Sequence, residues 1–261
     1  FGHVPVYRSG NIAPDGHDPI PWASDSYYGE MTSTWSGSQT TLPSDVELQV
    51  GRVDLYNMPA FSQSEEQLLR AYLNKARQFK LGAYVPNNQG LIQDNYSGWV
   101  SDPLVETGYR TMGPLVGINN IDDLAYNGWP QFWSVVGNGY LWTFAGGGGV
   151  SYSEAQGIGS TANFAASPHN GVFNMVLGSY YGNWDANSSS IPGWNGGANS
   201  FIRAPLASGK ALTNVFAGIP CWFFHHMGMG DNIGYSTLLS QNNRTASPLY
   251  VPQNNGWQGE G

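Results

Sequence analysis

The composition of this 261-residue chain is that of a folded, acidic protein. Hydrophobic residues make up 41% of it and charged residues only 11%, which excludes a disordered chain rich in charge. The formal net charge of -8, with no cluster of Lys or Arg, excludes nucleic acid and anionic membranes as expected partners, because their phosphates would repel it. No apolar run is long enough to span a membrane.

The length fits one domain over residues 1–261. Because the chain starts at Phe1 and stops in a polar, Gly-rich stretch, we expect it to be part of a longer product. Low Lys content, 35 Gly and abundant Asn, Ser and Thr are typical of extracellular bacterial proteins and predict a secreted or cell-surface location. Cys221 is the single cysteine, and its apolar neighbours favour a buried thiol.

The first half of the chain contains one clear strand pattern and one clear helix pattern. Alternating apolar residues over 46–53 predict a strand. Ser62 and Glu65 form a capping-box pattern, so we expect a helix over about residues 63–80. The predicted apolar stripe of this helix consists of Leu68, Leu69, Tyr72, Leu73, Ala76 and Phe79.

The second half alternates apolar runs with helical segments. Buried strands are predicted at residues 140–145, 172–177 and 219–224. Helices are expected at residues 121–126, near 130–136, and over 201–207 and 212–216. This alternation predicts an α/β fold, with a mostly parallel sheet flanked by helices. Ligands bind beyond the carboxyl ends of such strands, so three loops should share one rim, at residues 146–151, 178–187 and 225–232.

Four short motifs follow one another along the chain: Asp25-Ser26-Tyr27-Tyr28-Gly29, Gln49-Val50-Gly51-Arg52-Val53, Phe144-Ala145-Gly146-Gly147-Gly148, and Gly178-Ser179-Tyr180-Tyr181-Gly182-Asn183-Trp184-Asp185. With the helix and strand expected after residue 200, they resemble the gingipain family of secreted cysteine peptidases. The resemblance implies a three-layer α/β sandwich of the caspase/haemoglobinase type. It covers most of the chain.

The same resemblance places Gly147 where the family has its catalytic His, and Ser179 where it has its nucleophilic Cys. A Ser hydroxyl needs a positioned base, which Gly147 cannot supply. We therefore expect a non-proteolytic homologue that acts as an extracellular binding, scaffold or surface-assembly module. An active hydrolase built on Ser179 stays open as the alternative if a histidine comes within hydrogen-bond reach. The candidate histidines are His225, His226 and His169.

Oxygen-rich side chains after the predicted strand at 172–177 favour calcium as the possible cofactor. Asn183, Asp185 and Asn187 alternate as ligands do in Ca²⁺-binding loops, although the same residues also make solvated turns. The adjacent His225 and His226 are weaker transition-metal candidates, because neighbours on an extended chain point to opposite sides.

Aromatic residues are numerous in the predicted loops, and such residues stack on sugars or anchor protein partners. They therefore predict a glycan or protein partner. The aromatic set is Trp22, Tyr27, Tyr28, Trp35, Tyr180, Tyr181, Trp184 and Trp194. The sequence leaves the oligomeric state open.

Overall fold

The structure is a computed structural model that describes residues 4–12, 20–39, 42–95, 106–124, 132–135, 139–179, 182, 184–185, 197–216 and 222–243. The chain divides into two compact units, a larger one, Val53–Phe216, and a smaller one made of Phe1–Arg52 and Ala217–Gly261. A single domain over residues 1–261 stays a prediction. Within the described ranges, no helix has the length and apolar character needed to cross a membrane.

The regular elements, in chain order, are β1 (Arg8–Ile12), β2 (Ile20–Ala23), α1 (Ser26–Gly29), α2 (Glu65–Lys80), β3 (Asn87–Asp94), α3 (Glu106–Val116), β4 (Ile121–Leu124), α4 (Phe132–Val135), β5 (Tyr140–Gly146), β6 (Gly149–Ser151), β7 (Glu154–Ala155), β8 (Gly159–Ser160), α5 (Thr161–Ala166), β9 (Phe173–Leu177), α6 (Ala204–Ala207), β10 (Thr213–Phe216) and α7 (Ile233–Asn242). Three 3₁₀ helices lie at Ile118–Asn120, Phe201–Arg203 and Phe224–Met229.

Five parallel strands form the central sheet of the larger unit, in the order β10, β9, β5, β3, β4. Helix α3 packs against β3, β4 and β5, whereas α6 packs against β10, α2 and α5. The predicted α/β fold is therefore confirmed: the structure is a three-layer arrangement with a parallel sheet flanked by helices. A short antiparallel meander, β6–β7–β8 at residues 149–160, follows β5.

The middle of the sheet is apolar and closely packed. Strand β9 is buried along its whole length, and Trp142 and Phe144 of β5 are fully buried. Burying each such side chain contributes about 1.5–3 kcal/mol. These are the two strands that the apolar runs at 140–145 and 172–177 predicted, and the structure confirms both.

One polar network crosses this apolar sheet, centred on Asn174 of β9. Its Oδ1 lies 2.6 Å from the Thr143 hydroxyl on β5 and 2.7 Å from His169 Nε2. Its Nδ2 donates to the carbonyl oxygen of Thr213 on β10 at 2.9 Å. The hydrogen bonds of Asn174 reach β5, β10 and the loop before β9. Because these bonds are buried, they fix the register of β5, β9 and β10.

Helix α2 confirms the predicted helix but begins later. Ser64 caps it, accepting from the backbone N–H of Gln67, whose side chain in turn accepts from the Ser64 N–H. The expected capping box at Ser62 and Glu65 is wrong by two residues. The predicted apolar stripe is also only partly correct, since Leu73 is 57% exposed whereas Lys75 is buried.

The predicted strand at residues 46–53 is wrong. Its backbone finds other partners: the Asn242 side chain accepts from the Val46 N–H at 2.7 Å and donates to the Val46 carbonyl at 2.8 Å. The N–H of Leu48 donates to the Gly29 carbonyl. Because an amide side chain and the carbonyl of the last residue of α1 take these hydrogen bonds, the segment does not join a sheet.

Three further assignments differ from expectation. Residues 121–124 form strand β4, and residues 213–216 form strand β10, where helices were predicted. The described part of the predicted strand at 219–224 leads into a 3₁₀ helix, while residues 219–221 lie outside the described residues. Strand β3, which pairs with both β4 and β5, carried no strand prediction because Asn, Gln and Gly occupy five of its eight positions.

We predict that His169 makes the fold less stable below neutral pH. Burial lowers the pKa of His169 to about 4, so the folded protein holds it neutral while the unfolded chain, with a pKa of 6.5, binds a proton. Stability present above pH 6.5 is therefore lost as the pH falls to about 4, by about 3 kcal/mol from this residue.

Urea unfolding of the wild type and His169→Gln at pH 7 and pH 4.5 measures this loss. His169→Gln should lose less stability between the two pH values than the wild type does. Parallel behaviour of His169→Gln and the wild type would contradict the prediction.

Candidate functional site

The carboxyl ends of β3, β5 and β9 meet at one edge of the sheet. The backbone N–H of Asn95 donates to the Gly146 carbonyl at 2.8 Å, and that of Gly147 donates to the Leu177 carbonyl at 3.0 Å. Ser179, half-buried, follows two residues after Leu177. The structure therefore brings Gly147 and Ser179, the two positions singled out by the resemblance, to the ends of neighbouring strands.

The meander lies over this edge and is hydrogen-bonded to it. The Asn95 side chain donates to the Gln156 carbonyl at 3.0 Å, and the Gln93 side chain donates to the Gly157 carbonyl at 2.8 Å. The Gln156 N–H donates to the Gly148 carbonyl at 2.9 Å. The turn between β7 and β8 therefore covers the ends of both β3 and β5.

No side chain fits at Gly147. A Cβ placed there would overlap the Gln156 carbonyl oxygen and lie 2.9 Å from Ile158 Cγ1. On the other side of the contact, Gly157 has φ +72°, and a Cβ there would overlap the Asn95 amide. Glycine is required at both positions because neighbouring atoms lie too close for a Cβ. The meander occupies the space that an imidazole at residue 147 would need.

The meander is part of the core. Tyr152, between β6 and β7, is fully buried, and its hydroxyl donates to the Trp184 carbonyl at 2.9 Å. The N–H of Phe201 donates to the Tyr152 carbonyl, and Ser160 caps helix α5. Opening this segment would break these bonds and expose Tyr152 and Ile158, so it does not behave as a lid over an empty site.

A buried ion pair between Arg203 and Asp54 shares a hydrogen-bond acceptor with Tyr152. Arg203 donates to the Asp54 carboxylate at 2.9 Å and to the Gly197 carbonyl at 3.0 Å. The Tyr152 hydroxyl lies 3.4 Å from the same carbonyl. Burial raises the pKa of Tyr152, which keeps its hydroxyl protonated as a hydrogen-bond donor.

Ser179 makes no hydrogen bond to an imidazole in the part of the chain that the structure describes. His169 is bonded to Asn174 inside the sheet, and its Nδ1 is buried. His225 and His226 lie in the smaller unit, on the 3₁₀ helix Phe224–Met229. The base that a serine hydrolase needs is therefore not joined to Ser179 by any described contact.

The two adjacent histidines do not point to opposite sides, as an extended chain would have required. Their ring centroids are 4.5 Å apart, because residues 224–229 are helical. His226 Nδ1 lies 4.0 Å from the Asp231 carboxylate. Burial, together with His226, lowers the pKa of His225.

The calcium prediction falls largely on residues that the structure does not describe. Asn183 and Asn187 lie outside the described residues, as does Cys221. Asp185 is described and half-buried. Among the described residues, no group of three or more His, Cys, Asp and Glu side chains could hold a metal ion. Calcium stays a prediction.

Several of the predicted partner-binding aromatics contact one another in the smaller unit. The rings of Tyr7 and Tyr27 stack at 4.5 Å, and Trp35 meets both edge-on. In the larger unit, Trp184 is buried. The side chains of Trp22, Tyr180, Tyr181 and Trp194 lie outside the described part of the chain. The described members of the predicted set therefore serve packing first, and Tyr27, 38% exposed, has the largest exposed fraction of those members.

An ion pair that sequence reasoning missed joins the first two motifs. Arg52 donates from Nε to the Asp25 carboxylate at 2.8 Å and from Nη2 at 2.6 Å. It also donates to the Val4 carbonyl at 3.1 Å. Two planar donors on one carboxylate fix both segments in orientation, and no local spacing in the sequence signals a pair 27 residues apart.

No protein-family model matches this chain, and no curated protein or solved structure matches it either. The three-layer fold by itself is compatible with many activities. Its function therefore has to be inferred from the side chains at the sheet edges and from the space around them.

We predict that Gly147→Ala destabilises the protein by about 1–3 kcal/mol, because the new methyl group displaces the meander backbone. Gly37→Ala is the control: that residue lies in an exposed turn with open space around it. The control should change the free energy of unfolding by less than about 0.5 kcal/mol. Denaturant unfolding measures both, and equal stability of the two variants would show that residue 147 has room for a side chain.

Proposed function

We propose that this chain is a secreted, gingipain-like protein without peptidase activity, which acts outside the cell as a binding, scaffold or surface-assembly module. The observation that carries the proposal is the contact between the meander and Gly147. A peptidase dyad needs a base at the end of β5, and at that place the Gln156 carbonyl and Ile158 leave room only for hydrogen.

The meander also contacts the second place where an α/β sheet offers a ligand site. Ligands bind where the strand order reverses, which in this sheet is between β3 and β5. Asn95 and Gln93 lie at the end of β3, and both donate to carbonyls in the turn of the meander. The meander is therefore in contact with both places, at residues 93–95 and at residues 146–147.

A surface suited to a partner supports the binding role. Leu69 and Leu73 are one turn apart on α2 and are 39% and 57% exposed, and Leu81 just after the helix is 66% exposed. Single exposed apolar residues are common, but two exposed leucines one turn apart on the same helix face favour contact with another protein. This pair, together with the composition, supports the proposed binding or assembly role.

The proposal predicts no cleavage of casein or of a mixed peptide library, and no change on Ser179→Ala. A second measurement separates an unactivated Ser179 from one with a hidden base: the rate at which iodoacetamide labels Ser179→Cys, after subtraction of Cys221 labelling in the wild type. Without a neighbouring imidazole, the rate should follow an ordinary thiol, rising with pH through about 8.5.

Fast labelling of Ser179→Cys below pH 7, or cleavage that Ser179→Ala abolishes, would overturn the proposal and favour the hydrolase. Labelling of the protein in urea gives the reference rate for a thiol without neighbours. A folded-state profile parallel to that reference, only slower because residue 179 is half-buried, supports the non-proteolytic assignment.

A further inference from the structure

An open cavity lies at the opposite edge of the sheet, where the parallel strands begin. Its volume is about 190 Å³. Asn87 begins β3, Gly139 precedes β5, Asn170 precedes β9, and Lys210 precedes β10. The other residues that line it are Tyr84, Val85 and Pro86. All of them belong to the larger unit, and none takes part in the edge around Gly147.

The cavity is positively charged within an acidic protein. The Lys210 ammonium lies 5.0 Å from the centre of the Tyr84 ring, and no ion pair joins Lys210 to an acidic group among the described residues. Lys75 is close by: burial and then the charge of Lys210 lower the pKa of Lys75 to about 7. Two neighbouring lysines without an acidic partner in the described chain favour an anion at this place.

The hydrogen bonds of the rim favour a carboxylate over a phosphate. Phosphate sites use several converging backbone N–H groups, whereas here the N–H of Asn87 already donates to Gly139 and that of Lys210 to His169. The Lys75 ammonium is likewise engaged, by the carbonyls of Leu206 and Ser208. Lys210 remains as a single cationic donor, which suits one carboxylate.

Two of the lining residues are apolar: Val85, which is 77% exposed, and Pro86, which is half-buried. The Tyr84 hydroxyl donates to the Asn170 carbonyl at 3.4 Å. A ligand that places its charge on Lys210 can cover these two apolar residues with its remaining atoms. An entirely polar ligand would gain nothing from Val85.

We propose that this cavity binds a small carboxylate with an apolar body, of the size of one amino-acid residue. The carboxylate pairs with Lys210, and the body covers Val85 and Pro86. Both a free organic acid and the last residue of a peptide carry this chemistry. The inference is independent of the proposed function, since it uses no residue of the closed edge.

Calorimetric titration of the full chain with N-acetyl-valine tests the proposal. For a ligand of this size we expect a Kd of about 1 mM. N-acetyl-valinamide, which lacks the charge, should bind at least tenfold more weakly, and so should N-acetyl-glycine, which lacks the apolar body. Inorganic phosphate should bind more weakly than N-acetyl-valine.

Two variants locate the site, each with its fold checked by thermal unfolding. Lys210→Met keeps the stem and removes the charge, and should weaken binding at least tenfold, whereas Lys80→Met, at the exposed end of α2, should leave it unchanged. Val85→Asp, at a residue too exposed to affect folding, adds a repelling charge and should also abolish binding.

Isovalerate and a Val-ending tripeptide distinguish the two sources, and tighter binding of either supports the site and names its source. The proposal is overturned if neither binds, if phosphate binds more tightly than N-acetyl-valine, or if N-acetyl-glycine matches N-acetyl-valine. It is also overturned if Val85→Asp retains full affinity.

Discussion

The larger unit depends on a close approach between two backbones. The turn of the meander rests on the ends of β3 and β5, and it does so because residues 147 and 157 carry no Cβ. Each glycine removes a steric barrier, and hydrogen bonds from Asn95 and Gln93 then join the surfaces. The meander buries Tyr152 and Ile158 by this contact, so the stability of the unit and the closure of the edge have one cause.

The same constraint separates fold from activity. A parallel sheet brings the ends of β5 and β9 together, so that residues 147 and 179 both follow the ends of neighbouring strands. Space is a further condition, and it is not met at residue 147. The expected resemblance to a peptidase family and the proposed absence of proteolysis are therefore compatible. The same strand order can form whether or not there is room for a catalytic side chain at its end.

The polar network inside the sheet reaches the edge where the parallel strands begin. Asn174 accepts from Thr143 and is hydrogen-bonded to His169, and the His169 carbonyl accepts from the N–H of Lys210 at 2.7 Å. The contacts of Asn174 therefore help to position the backbone of Lys210, which lines the cavity at that edge. At the opposite edge, the meander backbone packs on residue 147 at the end of β5.

The sequence by itself determined the α/β class, helix α2 and strands β5 and β9, because long apolar runs and a 3.6-residue period report burial directly. It also predicted that the loops at residues 146–151 and 178–187 follow strands of one parallel sheet. Only the tertiary structure decided that β3, with its polar Asn and Gln, is an interior strand, that residues 46–53 bond to Asn242 and Gly29 instead of a strand, and that Lys75 is buried. Those features depend on partners distant in the chain, and local periodicity carries no information about which backbone will meet which, or about the space left between them.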